Sequence, residues 1–264
     1  MKTASIVKIG GATLGNNDTT IEDIVELQRQ GQSLVVVHGG GKLITEWLTK
    51  QKIPTRFIRG ERVTDMATLE VVISVLAGLV NKELVSAING RGGRAVGISG
   101  IDGAIIQATV KDIELGFVGS AARVNTTPLA LLLRSGYLPV VAPLGLSISN
   151  KPAEVPQILN INADAVAGEI AAALGAERLV FLTDVAGVCD RSGNLLPRLT
   201  PVEIEPLMAS GIISGGMIPK IKACLRALAS TASTCVIDGR QPHALIREIE
   251  EPGSGTVVTA GPSG

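Results

Sequence analysis

The stretch Ser33-Leu-Val-Val-Val-His-Gly-Gly-Gly-Lys42 is the strongest indication of the fold. Its run of β-branched residues is typical of a buried strand and ends abruptly in three glycines. Beyond the glycines, apolar residues recur at helical spacing, at Leu43, Ile44, Trp47 and Leu48. We therefore predict a strand, a glycine turn and a helix in succession.

The same glycine triplet, Gly39 to Gly41, predicts an anion site. Glycines let the backbone approach a ligand closely, and the N-terminus of a helix offers N–H groups and partial positive charge. A simple connection would need only one glycine. The Walker motif is excluded because Leu43 follows Lys42, and the dinucleotide fingerprint is excluded because Ile44 stands where its third glycine belongs. The expected ligand is a phosphate or a carboxylate.

Composition limits the classes of protein to which the chain can belong. The 264 residues are 45% hydrophobic and 18% charged, which suits one large α/β domain or two intimate lobes. A formal net charge of zero gives no support to nucleic-acid binding. The three cysteines form no C-x-x-C pair, so neither a disulfide framework nor a zinc site is predicted. Without a signal-peptide layout or an uninterrupted apolar run of membrane-spanning length, we expect a cytoplasmic protein with no membrane partner.

Patterns typical of strands and helices alternate along the chain. A hairpin is predicted over 104–119. Strands are predicted over 4–9, 34–38, 95–99, 138–142, 179–183 and 234–238, and helices over 22–30, 69–88, 129–134 and 165–174. This alternation predicts a mainly parallel sheet with helices on both faces. Such sheets bind ligands at the carboxyl ends of their strands, where the glycine turns fall.

Three charged residues occupy positions that are costly without a partner. Lys8 lies inside an apolar strand beside a glycine pair, so burial of its ammonium group requires an anion. Lys220 follows Pro219 in the first turn of a predicted helix, where a cation is unfavourable unless an anion lies nearby. Asp164 opens another helix and could be a cap, or could orient cations or a metal ion. These residues are candidates for phosphate chemistry.

Two further features allow two interpretations each. Arg62 precedes a long amphipathic helix, and its guanidinium could bind a carboxylate in bidentate fashion or remain a solvated surface group. The helix itself, Met66–Ile88, could pack on a sheet or form a dimer interface.

Taken together, six motifs in order between residue 4 and about residue 258 resemble the amino acid kinase family. They are Lys8-Ile-Gly-Gly11, His38-Gly-Gly-Gly41, Gly60-Glu-Arg-Val-Thr64, Asn160-Ile-Asn-Ala-Asp164, Thr183-Asp-Val-Ala-Gly187 and Gly215-Gly-Met-Ile-Pro-Lys220. The resemblance implies a three-layer αβα sandwich around a mainly parallel open sheet. It also implies two lobes, 1–174 for the amino-acid substrate and the dimerisation helix, and 175–264 for ATP.

The resemblance also implies roles for individual residues. Lys8 and Lys220 would stabilise the transferring phosphoryl group, and Asp164 would orient both lysines. The acylated amino acid would be held by Gly40, Gly41, Arg62 and Asn160. The residues implied to contact ATP are Gly10, Gly11, Asp184, Val185, Gly187, Cys189, Ile212, Ile213 and Ser214.

Within the family, the motifs are most similar to those of members that phosphorylate the γ-carboxylate of N-acetyl-L-glutamate with ATP in arginine biosynthesis. A carboxylate is ionised near neutrality and needs no general base, so positioning and charge neutralisation suffice. Mg²⁺ is expected to be held mainly by the ATP phosphates and not by a protein cage. The resemblance further suggests a homodimer, insensitive to arginine because the N-terminal helix of arginine-inhibited members is absent. Two alternatives remain: a kinase for carrier-protein-linked aminoadipate or glutamate in lysine biosynthesis, and a non-catalytic ligand sensor.

Overall fold

A computed structural model describes residues 3–10, 19–148, 155–231 and 233–260. Gly11, predicted to contact ATP, lies outside these ranges. The strands are β1 (Ser5–Ile9), β2 (Leu34–His38), β3 (Phe57–Ile58), β4 (Glu61–Arg62), β5 (Ala95–Ser99), β6 (Ile106–Val110), β7 (Val118–Val124), β8 (Leu138–Ala142), β9 (Leu144–Ser147), β10 (Ile158–Ile161), β11 (Arg178–Thr183), β12 (Arg198–Leu199), β13 (Ser233–Asp238) and β14 (Thr256–Val258).

The helices flank these strands in sequence and cover both faces of the sheet. They are α1 (Thr20–Arg29), α2 (Gly41–Lys50), α3 (Met66–Ile73), α4 (Asn81–Gly90), α5 (Thr127–Arg134), α6 (Ala163–Leu174), α7 (Pro201–Ala209), α8 (Met217–Ala227) and α9 (Ala244–Glu250), with 3₁₀ turns at Asp102–Ala104 and Ile113–Leu115.

The central sheet has eight strands in the order β12-β14-β13-β11-β1-β2-β8-β5. From β13 to β5 all neighbouring strands run parallel, while β14 is antiparallel to β13. The predicted three-layer α/β fold with a mainly parallel sheet is confirmed. β1 lies centrally, between β2 and β11, so its carboxyl end is flanked by the ends of both neighbours.

Two apolar clusters form the layers on either side of the sheet. Successive residues of a strand point to opposite faces, and accordingly Val7 belongs to the cluster beneath α1 and α2, whereas Ile6 belongs to the cluster beneath α6 and α8. By the same alternation Lys8 points to the side of Ile6. The strand therefore directs the Lys8 ammonium group toward α6 and α8.

α3, a π-helical stretch over Ser74–Val80 and α4 form one continuous helix, Met66–Gly90. An 18-residue window of this helix has a mean hydropathy of 1.8, enough by length and composition alone to cross a membrane, a test that a buried core helix also passes. In the fold, its residues Val72, Leu76 and Ile88 are buried in the same cluster as strand residues of the sheet. The interpretation of this helix as a sheet-packing element is therefore confirmed.

A small closed barrel of β6, β7, β9 and β10 adjoins the sheet. β6 and β7 pair antiparallel, which confirms the hairpin predicted within 104–119, although β7 extends beyond it. β10 pairs with both β7 and β9 and carries Asn160. The barrel thus supports one wall of the cavity described below, which Asn160 lines.

Candidate active site

Lys8 lies in the centre of the sheet, next to Val37 of β2 and Phe181 of β11. Its side chain is buried, with a relative exposure of 8%, and its Nζ lies 2.7 Å from Oδ1 of Asp164. The strand sequence thus places an ammonium group in the core, where its partner must be an anion. The expectation of an anionic partner for Lys8 agrees with this contact.

Asp164 is held in the first turn of α6 by its neighbour in sequence. Asn162 is the N-cap, and its Oδ1 accepts hydrogen bonds from the backbone N–H groups of Asp164 and Ala165, at 2.9 and 3.2 Å. The cap role predicted for this segment therefore belongs to Asn162. The Asp164 carboxylate is left to bind cations, and its second oxygen, Oδ2, accepts from Nζ of Lys220 at 3.2 Å.

Lys220 belongs to α8, with Pro219 in the first turn as predicted. Its Nζ also donates to the carbonyl of Gly216 at 3.2 Å. α6 and α8 approach closely at Gly168, where an added Cβ would lie 2.9 Å from both Cβ and the carbonyl oxygen of Ala223. This close approach of the helices brings the Asp164 carboxylate within reach of Lys220.

Lys8, Asp164 and Lys220 form a largely buried cluster, with side-chain exposures of 8%, 7% and 14%. Burial lowers the pKa of the Lys8 ammonium; the Asp164 carboxylate opposes that effect and Lys220 adds to it. With both lysines protonated, one carboxylate serves two cations. An incoming anion would complete the neutralisation, which is the requirement of a phosphoryl group in transfer.

His38, at the end of β2, is a structural and uncharged group. Burial lowers its pKa to about 4. Its Nδ1 lies 2.9 Å from the carbonyl of Gly39, to which it donates, so Nε2 accepts from Nδ2 of Asn81 at 3.2 Å. Asn81 was not predicted, since its role depends on three chain segments meeting. The pair fixes the carbonyl that begins the glycine turn.

The glycine turn opens on a cavity of about 210 Å³. Gly40 is the N-cap of α2, and the N–H groups of the first turn, including that of Gly41, have no partners within the helix. An added Cβ on Gly40 would lie 2.8 Å from Cδ2 of Leu76, so a larger residue here would require the Leu76 side chain to shift. Arg62, Asn160 and Phe57 also line the cavity. The substrate residues predicted at separate positions of the chain are therefore brought together.

Arg62 presents an unsatisfied donor in this cavity wall. One guanidinium nitrogen, Nη2, donates to the carbonyl of Gly41 at 3.0 Å and to Oγ1 of Thr45 at 2.7 Å. The ring of Phe57 lies 4.8 Å from the guanidinium carbon. Nη1 is buried and has no hydrogen-bond partner among the described residues. Burial lowers the pKa of Arg62, and a ligand carboxylate would satisfy both its charge and its free donor.

The residues predicted to contact ATP, apart from Gly10 and Gly11, follow β11 or precede α8. Asp184 and Ser214 are exposed, Val185 is 42% exposed, and Cys189 and Ile212 are half-buried. Ile213 is 1% exposed, so its side chain belongs to the core. Gly187 fits against Thr256, whose Oγ1 would lie 2.5 Å from an added Cβ, so its small size serves packing. The N–H of Gly10 donates to the carbonyl of Leu182 at 3.3 Å.

A mainly parallel α/β fold in which two lysines share one buried carboxylate, with an arginine in the wall of a cavity, has the charge pattern expected of a small-molecule phosphotransferase. The chain belongs to the amino acid kinase family, which its sequence matches over residues 4–238. The predicted family membership is thereby confirmed.

Relatives of known name point the same way. The chain is 46% identical to an acetylglutamate kinase of Dehalococcoides mccartyi (strain ATCC BAA-2100) over 96% of its own length and 93% of that relative. It is also 46% identical to an acetylglutamate kinase of Cereibacter sphaeroides (strain ATCC 17029), over 96% of this chain and 86% of the relative. The solved structure of smu.665 from Streptococcus mutans UA159 superposes with a TM-score of 0.84 at 28% identity, covering 98% of this chain and all of the other.

Proposed function

We propose that this protein is an acetylglutamate kinase, which transfers the γ-phosphoryl group of ATP to the side-chain carboxylate of N-acetyl-L-glutamate. The named relatives support this activity. The observation that carries it is the shared contact of Lys8 and Lys220 with Asp164, next to the cavity lined by Arg62. Lys8 and Lys220 offer positive charge for a phosphoryl group, and Arg62 in the cavity wall offers a hydrogen-bond donor for a second carboxylate.

In the proposed mechanism, Arg62 and Asn160 hold the polar groups around the α-carbon of the substrate, while the glycine turn binds the reacting end through backbone N–H groups. The side-chain carboxylate is already ionised and attacks the γ-phosphorus directly; as the new O–P bond forms, the bond to the β–γ bridging oxygen breaks and ADP leaves with its electron pair. Lys8 and Lys220 neutralise the charge that spreads over the transferring group. Asp164 positions both ammonium groups, and His38 stays neutral. No proton is transferred in this step.

Mg²⁺ is proposed to enter with ATP. Both carboxylate oxygens of Asp164 face ammonium groups, and within the described ranges no group of three or more His, Cys, Asp or Glu side chains could hold a metal ion. This donor set fits a cation coordinated mainly by phosphate oxygens and water. When bound, the ion would neutralise charge on the phosphates, while the lysines act on the transferring group.

The lobe boundary and the oligomer are proposals of the same kind. Residues 1–174 would bind the amino acid and residues 175–264 the nucleotide, in a cytoplasmic homodimer formed through Met66–Gly90. The outer face of that helix supports dimerisation, because Ser74 and Gly78 are exposed and small enough for close helix approach. An added Cβ on Gly78 meets no atom within 4 Å. Gly78→Arg should therefore give a monomer in light scattering, and a dimer unchanged by this substitution would contradict the interface.

The activity is tested by incubating the protein with ATP, Mg²⁺ and N-acetyl-L-glutamate and trapping the acyl phosphate as a hydroxamate. We expect hydroxamate formation that requires all three components. Lys8→Arg and Lys220→Arg should lower kcat far more than substrate affinity, because the ammonium charge is displaced from the transition state. Turnover with only a carrier-protein-linked substrate would favour the lysine-pathway alternative, and no turnover with any acylated amino acid would favour a ligand sensor.

A further inference from the structure

Thr64 lies between the two residues proposed to hold the substrate, and it is fully buried. Its hydroxyl donates to the backbone carbonyl of Arg62 at 3.0 Å. Because a hydroxyl has one hydrogen, the same oxygen must act as the acceptor for Asn160, whose Nδ2 lies 3.1 Å away. One hydroxyl therefore joins Arg62 to Asn160 and fixes which end of the Asn160 amide faces Thr64.

The backbone around Thr64 reinforces this link. Its N–H donates to the carbonyl of Leu115 at 2.9 Å, and its carbonyl accepts from Phe117 at 2.7 Å. The carbonyl of Phe117 in turn accepts from the N–H of Asn160 at 3.0 Å. Between them, Gly116 adopts a left-handed φ of 66°, and an added Cβ there would collide with the carbonyl of Thr64. Backbone hydrogen bonds thus connect the residues that follow β4 to β10, through the short segment that leads into β7.

The remaining contacts explain why the hydroxyl matters for the ligand. The head of the Arg62 side chain is fixed by Gly41 and Thr45, and among the described residues it is Thr64 Oγ1 that links the Arg62 carbonyl to the Asn160 side-chain amide. Without this hydroxyl, the Arg62 carbonyl and Asn160 Nδ2 would both lose a buried partner. The Asn160 side chain would then be free to adopt other rotamers in the cavity wall.

We propose that Thr64 is the positioning residue that sets Asn160 against Arg62 and thereby determines affinity for the acylated amino acid. This inference rests on the proposed function, because it assigns Arg62 and Asn160 to that substrate. Thr64 does not line the cavity; it acts through its two neighbours. The consequence is selective: binding of the amino acid weakens, whereas the affinity for ATP does not depend on Thr64.

The test compares Thr64→Val, which removes the hydroxyl at similar volume, with Thr64→Ser, which retains it. Titration calorimetry with N-acetyl-L-glutamate alone should show about tenfold weaker binding for Thr64→Val, as expected for one lost buried hydrogen bond. Its KM for ATP should be unchanged, and Thr64→Ser should restore affinity to within about twofold. Thr234→Val is the matched control, since Thr234 is equally buried but donates to Val258 in the core beside β14.

A double-mutant cycle separates positioning from general destabilisation. In an Asn160→Ala background, Thr64→Val should change the affinity for N-acetyl-L-glutamate by less than about twofold, because its route of action is gone. Should Thr64→Val fail to fold, Thr64→Ala enters the same cycle. An equal loss in both backgrounds, a matching rise in the KM for ATP, or wild-type affinity in Thr64→Val would overturn the inference. Absence of binding and turnover in the wild-type protein would instead overturn the proposed function.

Discussion

Asp164→Asn removes the carboxylate that Lys8 and Lys220 share at 2.7 and 3.2 Å. At an effective dielectric constant of about 20, the two attractions amount to roughly 6 and 5 kcal/mol before desolvation is subtracted. The net loss is limited, because one lysine can release its proton. From an ordinary pKa of 10.5, neutralisation at pH 7 costs about 5 kcal/mol. We therefore expect the free energy of unfolding to fall by about 3–5 kcal/mol.

The pH dependence of Asp164→Asn follows from the Lys8 ammonium. Burial lowers the pKa of Lys8, and the carboxylate that opposes this effect is lost, so the pKa should fall further. Above the folded-state pKa the unfolded chain holds more protons, and the stability of the folded state rises with pH until about 10.5. Activity should change in the opposite direction, because deprotonation of Lys8 removes the charge that the phosphoryl group requires.

Urea unfolding at pH 7 to 10 and initial rates of hydroxamate formation measure both effects. We expect kcat to fall by about 10²–10³-fold, comparable to the loss of one preorganised electrostatic group. Glu169→Gln is the control: it breaks the ion pair with Arg226 across the same two helices at 2.9 Å, where Arg226 is solvent-exposed. That change should cost less than about 1 kcal/mol and leave kcat intact. Wild-type stability and turnover in Asp164→Asn, or stability that decreases from pH 7 to 10, would refute the charge argument.

Three other predictions concern neighbouring groups. In steady-state kinetics, Arg62→Lys should raise the KM for N-acetyl-L-glutamate by about tenfold or more and leave the KM for ATP unchanged. The reason is that one ammonium group cannot keep the contacts to Gly41 and Thr45 while also binding a carboxylate. Gly168→Ala should lower kcat without changing either KM by more than about threefold, since the added methyl group separates α6 from α8; equal kcat would contradict this. Because the pKa of His38 is about 4 in the folded state, the unfolded chain binds a proton first, and the free energy of unfolding should fall by up to about 3 kcal/mol as the pH falls from 6.5 to 4. In His38→Gln, denaturant titrations at several pH values should show a smaller dependence of the free energy of unfolding on pH.

The sequence was sufficient for the parallel part of the sheet. β1, β2, β8 and β11 are runs of buried apolar residues followed by glycine or polar turns, and they lie within about one residue of their predicted bounds. β9 and β10 were not predicted as strands, because they are short and gain their partners only when the barrel closes. In α7 the internal Pro206 conceals the helical pattern. The local pattern of apolar runs and turn residues therefore identified the strands that are stabilised by burial in the central sheet.

Residue patterns alone identified Lys8, Asp164 and Lys220 as three separate candidates. Their meeting was implied only by the family resemblance, and the fold gives the distances, 2.7 Å from Lys8 and 3.2 Å from Lys220 to the Asp164 carboxylate. Thr45 and Thr64 were missed as partners of Arg62, since a threonine in a helix or a turn carries no distinctive signal. Their roles depend on which segments the fold places next to them, which a spacing within one segment cannot convey.

The residues that could be identified in advance share one property: each violates a local preference. Lys8 interrupts a buried strand, and Lys220 places a cation at a helix N-terminus. The sequence left Arg62 open between carboxylate binding and solvation, and the structure shows that this guanidinium is only 9% exposed. Each placement alone costs free energy, yet two of the cations meet at one carboxylate, and Arg62 lines the cavity beside the glycine turn. Such misplaced charges are tolerated where a ligand completes the electrostatics. Lys8 and Lys220 share a single carboxylate, so that cluster has a place for a further anion, and the unpartnered Nη1 of Arg62 has a place for another acceptor.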